Sequence, residues 1–144
     1  MKPKITFENI WHDEDMYEFR ISSSDGASLF VHNVYVCFAT FDEIITALDI
    51  FKNQVYGGIY DLKFGSFGPE YANGAFHARL HFQGNSKIYI TVIAQSEYVD
   101  FGKYTVASEA KLYLVAEVAQ LDNFIINLKS LNNGNCHIAH LECV

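Results

Sequence analysis

Proline is nearly missing from this chain, with Pro3 and Pro69 its only two, and so is any long polar, highly charged segment. Half of the 144 residues are apolar and 15% are aromatic, which excludes a disordered chain and supplies a full core for one domain over residues 1–144. Cysteine is scarce as well. Cys37, Cys136 and Cys143 are odd in number and lack CxxC spacing, which points to reduced thiols rather than a disulfide framework. No run approaches the ~20 apolar residues of a membrane helix, so no membrane role is expected. After a positively charged start, Glu8 and the cluster from His12 to Asp15 interrupt any apolar stretch; no secretion signal is read, and a cytoplasmic location is the expectation. Positive charge is also in short supply. Ten basic residues against seventeen acidic give a net charge of −7, the wrong sign for neutralising phosphates, which excludes nucleic acid and favours a basic partner.

Signatures of chemistry are equally few. There is no GxSxG nucleophile elbow, and the glycines at 57, 58, 65 and 68 lack the lysine and the strand-to-helix setting of a phosphate-cradling loop. His12-Asp13-Glu14-Asp15 lacks the alternating donors of a calcium loop. Cys136, His137, His140 and Cys143 would alternate between two faces of a strand, so they do not form a paired zinc motif. Cys37 lies in an apolar run and reads as a small core residue. No cofactor, metal or catalytic residue is assigned, and the question of an enzyme stays open, with the balance against one.

What is present is periodicity. Phe41, Ile44, Ile45, Leu48 and Phe51 recur 80 residues on as Leu121, Phe124, Ile125, Leu128 and Leu131, the stripe of an amphipathic helix in each case. Thr40 and Glu43 form a capping box that would start the first helix at Phe41. Strands are read near Ile5 to Trp11, Met16 to Ser22 and Ser28 to Phe38, with a turn at Asp25-Gly26. Trp11, on the side of Ile5 and Phe7, is assigned to the core. Further strands are read at Ile59 to Phe64, Ala75 to Gln83, Lys87 to Gln95, Tyr104 to Glu117 and Cys136 to Val144. The fold class is therefore α+β, a largely antiparallel sheet of about six to eight strands with two amphipathic helices on one face. A pseudo-repeat of two β-hairpin–helix halves and the chance likeness of two amphipathic helices both explain the recurring stripe.

Two places carry candidate binding residues. Five of the nine glycines fall between Val55 and Gly74, and the loop Gly65-Ser-Phe-Gly-Pro-Glu-Tyr-Ala-Asn-Gly74 is long for a plain turn. It offers Phe67, Glu70 and Tyr71. His77, Arg79 and His81 alternate with Phe76, Ala78, Leu80 and Phe82, which places them on the polar face of a strand. The two histidines are then ~13 Å apart and cannot share one ion. That face would suit an anion or an acidic group.

The order of strand, Trp11, Asp25-Gly26 hairpin, helix, Phe67-Gly-Pro-Glu-Tyr71 loop, strand-rich stretch and second helix resembles small uncharacterised bacterial proteins similar to the immunity proteins of polymorphic and contact-dependent toxin systems. That resemblance implies a single acidic domain that binds and blocks a toxin, without catalytic residues. The composition leaves open a small-molecule-binding domain or modest enzyme with an aromatic pocket between sheet and helices, and a homodimer.

Overall fold

The computed structural model describes residues 1–144. The chain runs β1 (Lys4–His12), β2 (Met16–Ser24), β3 (Leu29–Cys37), α1 (Phe38–Phe51), β4 (Ile59–Phe64), β5 (Ala75–Phe82), β6 (Lys87–Gln95), β7 (Val99–Phe101), β8 (Tyr104–Val106), β9 (Glu109–Glu117), α2 (Val118–Asn132) and β10 (Ile138–Glu142). The α+β class, the antiparallel pairing and the two helices are as the periodicity predicts. The strands number ten and form two four-stranded sheets, β10-β1-β2-β3 and β4-β5-β6-β9, plus the two-stranded ribbon β7-β8.

The two halves share one pairing scheme. Phe7 opposite Ile21 recurs as Ala78 opposite Val92, an offset of 71 in β1/β5 and β2/β6. Phe19 opposite Val34 recurs as Ile90 opposite Leu114, which sets the offset at 80 for β3/β9, the value already seen in the helices. Ile5 opposite Leu141 recurs as Phe76 opposite Phe64, with an offset of 77 between β4 and β10. Each half is thus β-β-β-α-β, and its last strand joins the other half's sheet. Side chains alternate across a strand, so a one-residue slip would turn every core residue to solvent. Matching registers throughout both halves show a structural repeat extending well beyond two similar helices. Between offsets of 71 and 80 lie nine extra residues, and these belong to the β7-β8 ribbon.

One core of 32 buried residues draws on both sheets and both helices. Phe7 is its centre, with ring centroids 5.3 Å from Phe64, 5.8 Å from Phe76 and 5.4 Å from Phe124. Burial of each such ring stabilises the fold by roughly 1.5–3 kcal/mol. The void between Phe7, Leu62, Phe76 and Phe124 is only ≈ 10 Å³, about the least that admits one water. An aromatic ligand pocket between sheet and helices has no room there.

Three local expectations are corrected. Helix α1 starts at Phe38 without a side-chain cap, because β3 runs directly into it and the Phe38 N–H donates to the Asp15 carbonyl at 2.8 Å. A tertiary contact therefore replaces the Thr40–Glu43 box. Trp11 is 47% exposed, because the register shifts between Asn9 and Trp11 and the bulge turns the indole off the core face. Cys37 is exposed at the strand-to-helix junction, not in the core.

Candidate functional site

The loop at residues 65–74 is an ordered connector. Gly65 (φ 69°) and Gly68 (φ 117°) take positive φ, and the Tyr71 N–H donates to the Gly68 carbonyl at 3.2 Å across a β-turn with Pro69 second. At the loop's end, Gly74 passes so close to the Asn33 and Gln95 carbonyls that a Cβ would collide with Asn33. The loop thereby bridges the seam between the two sheets. On one side Glu70 and Tyr71 share a shallow depression of ≈ 370 Å³ with Tyr35 of β3. On the other, Phe67 lines one of ≈ 340 Å³ with Ile93 and Lys111.

The ribbon is joined to this loop by the Tyr98 N–H, which donates to the Ala72 carbonyl at 2.9 Å. Its base is held by the Ser96 and Ser108 main chains and the Ser96 hydroxyl. Gly102 (φ 65°) turns it, pairing Phe101 with Tyr104 and Val99 with Val106. All four of these apolar residues are exposed, Phe101 at 71% and Tyr104 at 75%. No burial in this chain explains them. Asp100 and Lys103 belong to the ribbon and Glu97 to its base, while Glu109 and Lys111 follow in β9 and Glu70 lies in the loop to which the ribbon is tied. Sequence periodicity cannot pick out this ribbon, since three-residue strands are too short to display a period and the run merges with β9.

His77, Arg79 and His81 lie on the outer face of β5, as alternation predicts. Asp61 on neighbouring β4 pairs across from Arg79 and accepts from its Nε at 2.8 Å and from a terminal guanidinium nitrogen at 3.1 Å. His77 Nε2 shares the same carboxylate at 2.8 Å. The Arg79 guanidinium, with His77 beside it, holds the Asp61 carboxyl far below the usual carboxylate range. This fork engages Arg79 with a carboxylate of its own sheet. His81 stands apart, 3.5 Å from the Gln83 side chain. Ile93 faces His77 in the register and also lines the Phe67 depression, so this face adjoins the loop.

A second locus escapes sequence reasoning altogether. The β1–β2 turn and the α2–β10 connection enclose a polar cleft of ≈ 520 Å³ that includes His12, Asp13, Asn135 and His137. No three His, Cys, Asp or Glu side chains in the molecule converge as metal ligands. His140 instead meets the Thr6 hydroxyl through Nδ1 at 2.9 Å, while the Cys143 thiol, pushed up to about 12 by burial, donates to the Leu141 carbonyl.

No protein-family model, curated protein or solved structure significantly matches the chain. No helix is long and apolar enough to cross a membrane.

Proposed function

We propose that this chain is a non-enzymatic protein-binding module of the immunity type, which binds and blocks a basic toxin or effector domain by occlusion. The observation that carries this reading is the β7-β8 ribbon. Nine residues are inserted into the repeat between β6 and β9, and the apolar side chains they add cover no core. Exposed aromatic residues on a rigid backbone are the anchors that interfaces bury, with large contact area and little side-chain entropy to lose. The Tyr98–Ala72 hydrogen bond ties the ribbon to the loop that carries Phe67 and Tyr71. The surrounding carboxylates and the net charge of −7 favour a basic partner and would raise its association rate. A filled core gives no support to an aromatic pocket.

The test compares two immobilised proteins, the native chain and Phe101→Ser/Tyr104→Ser, exposed to lysate of the source organism at low salt and eluted with rising salt. The reading predicts a stoichiometric basic protein on the native chain that is missing from the variant, with both showing the same circular dichroism. Equal retention on both would remove the ribbon from the interface. Retention of nothing by the native chain would remove the partner.

A further inference from the structure

The repeat supplies an internal control for the polar cleft, because the same place exists in the other half. There, Phe82 opposes Ile88, both are 0% exposed, and Phe82 packs on Phe51 with ring centroids 4.9 Å apart. Tyr60 lies beside them, 6.2 Å from Phe51. In the first half the register sets His12 opposite Tyr17, the counterpart of Ile88, so His12 stands where Phe82 would. It reaches that place only through the bulge between Asn9 and Trp11. By the offset of 77, His137 stands where Tyr60 does, and by the offset of 80 Leu131 replaces Phe51. The scaffold therefore has an apolar solution for this corner, used once and left open once. Bulges that re-aim a side chain are concentrated beside binding sites.

The groups in the cleft indicate the ligand's chemistry. Tyr17, 94% buried, donates to Asn132 Oδ1 at 2.8 Å, and Asn132 donates onward to Asp42 at 2.6 Å. These form the back wall of the cleft. Asp13 Oδ1 is committed to the N–H groups of Asp15 and Met16 at 2.8 and 2.9 Å, which leaves one carboxylate oxygen facing out. The Asn9 amide nitrogen sits 3.3 Å from His12 Nδ1, and Asn9 Oδ1 is buried without a partner. With Nδ1 accepting from that amide, His12 presents Nε2–H. The groups still free are a mixture of amide donors and acceptors from Asn133 and Asn135, the two imidazoles and one carboxylate oxygen. The Phe38 ring, 4.5 Å from that of Tyr17, adds an apolar wall.

A fixed carboxylate disfavours an anion, and although two imidazoles and a carboxylate are donors a transition metal accepts, no three His, Cys, Asp or Glu side chains converge here to hold one. Paired donors and acceptors beside a ring suit vicinal hydroxyls and the C–H face of a pyranose. A volume of ≈ 520 Å³ lies within the usual range for a small-ligand site. We infer that the cleft between the β1–β2 turn and the α2–β10 connection binds a small uncharged polyhydroxylated ligand of the saccharide class, with His12, His137 and Asn135 as its contacts. This inference does not rest on the protein-binding reading, since the ribbon lies in a different part of the chain and takes no part in the cleft.

The experiment is a titration of the isotope-labelled full chain, followed by amide cross-peaks, with glucose, galactose, N-acetylglucosamine and maltotriose, and with acetate and inorganic phosphate as charged comparators. At least one saccharide should produce saturable shifts at His12, Asn135 and His137. The variant His12→Phe/His137→Tyr, which writes the other half's residues into the cleft, should keep its fold and weaken that saccharide by about tenfold or more, roughly 1.4 kcal/mol. If that variant does not fold, Asn135→Ala in the exposed connection is read in its place, with the same loss expected. Shifts from acetate or phosphate alone, no shift from any of the four saccharides, or undiminished binding by a folded variant would each overturn the assignment.

Discussion

Asp49 accepts a hydrogen bond from Lys129 at 2.7 Å, and these two residues are each other's counterparts under the 80-residue offset. Around them the pairing is mirrored, with Lys52 on Asp122 at 2.9 Å and Asn132 on Asp42 at 2.6 Å. The two helices thus lie antiparallel, and Asp49–Lys129 marks the centre of the pseudo-two-fold. Lys129, then Lys52, hold the Asp49 carboxyl below its ordinary range. Both side chains are substantially exposed, so the pair's contribution is of the surface kind. A double-mutant cycle with Asp49→Asn and Lys129→Met should give a coupling of about 0.2–1 kcal/mol that shrinks in 1 M salt. Coupling unchanged by salt would mean the pair acts through packing.

Gly74 is where sheet geometry leaves least freedom. Its missing Cβ would meet the Asn33 carbonyl of one sheet and approach the Gln95 carbonyl of the other to 3.2 Å, and both obstacles are backbone. Gly74→Ala should therefore destabilise the chain by about 1–3 kcal/mol, as overpacking does, through a lower urea midpoint with an unchanged slope. Gly84, whose Cβ would meet nothing within 4 Å, is the control. Although its φ of 87° still strains an L-residue, Gly84→Asn should cost less than Gly74→Ala.

His32 gives the fold a pH dependence of defined sign. Its ring is 5% exposed, Nε2 donates to the Ala75 carbonyl at 3.1 Å, and Nδ1 has no partner. Burial pushes its pKa below the ordinary 6.5, partly opposed by the Ala75 and Ile21 carbonyls. In the unfolded chain the imidazole protonates on acidification through 6.5, whereas in the folded chain it resists until lower pH. The unfolded state then binds the extra proton, so stability is full above about 6.5 and declines below it, by at most about 1.4 kcal/mol per pH unit. The counterpart of His32 in the second half is Leu112. Urea midpoints between pH 7 and 5 should fall less for His32→Leu than for the native chain; parallel curves would count against this account.

Much of this architecture is legible before any coordinates. The helical stripes, the alternation in β2 and β5 and the outward placement of His77, Arg79 and His81 follow from periods of 3.6 and 2, which depend only on local geometry. The repeat is harder to read. Its identity resides in pairing registers, and Phe7 matches Ala78 in position while sharing neither size nor shape. Trp11 escapes the alternation because a bulge shifts phase by one residue without leaving a composition signal. The start of α1 departs from the capping-box position because its first N–H finds the Asp15 carbonyl, a tertiary partner no local motif encodes. Of the candidate residues, Phe67, Glu70 and Tyr71 share a loop but look into two depressions, and Arg79 is tied to Asp61. The cleft depends on residues more than a hundred positions apart, and only folding brings them together.

The ribbon separates function from stability most sharply. Phe7 touches four other phenylalanine rings and is 1% exposed, so Phe7→Ala should cost about 3–5 kcal/mol. Phe101 and Tyr104 are of similar bulk, yet removing them uncovers nothing, and Phe101→Ser/Tyr104→Ser should stay within about 0.5 kcal/mol per site in chemical unfolding. A residue that costs nothing to delete in isolation has no structural reason to be aromatic. A loss above about 1 kcal/mol for the ribbon variant would show that the ring pair braces the 65–74 loop through Tyr98 and Ala72. Near-neutral stability combined with lost partner retention would place the aromatic pair in the interface.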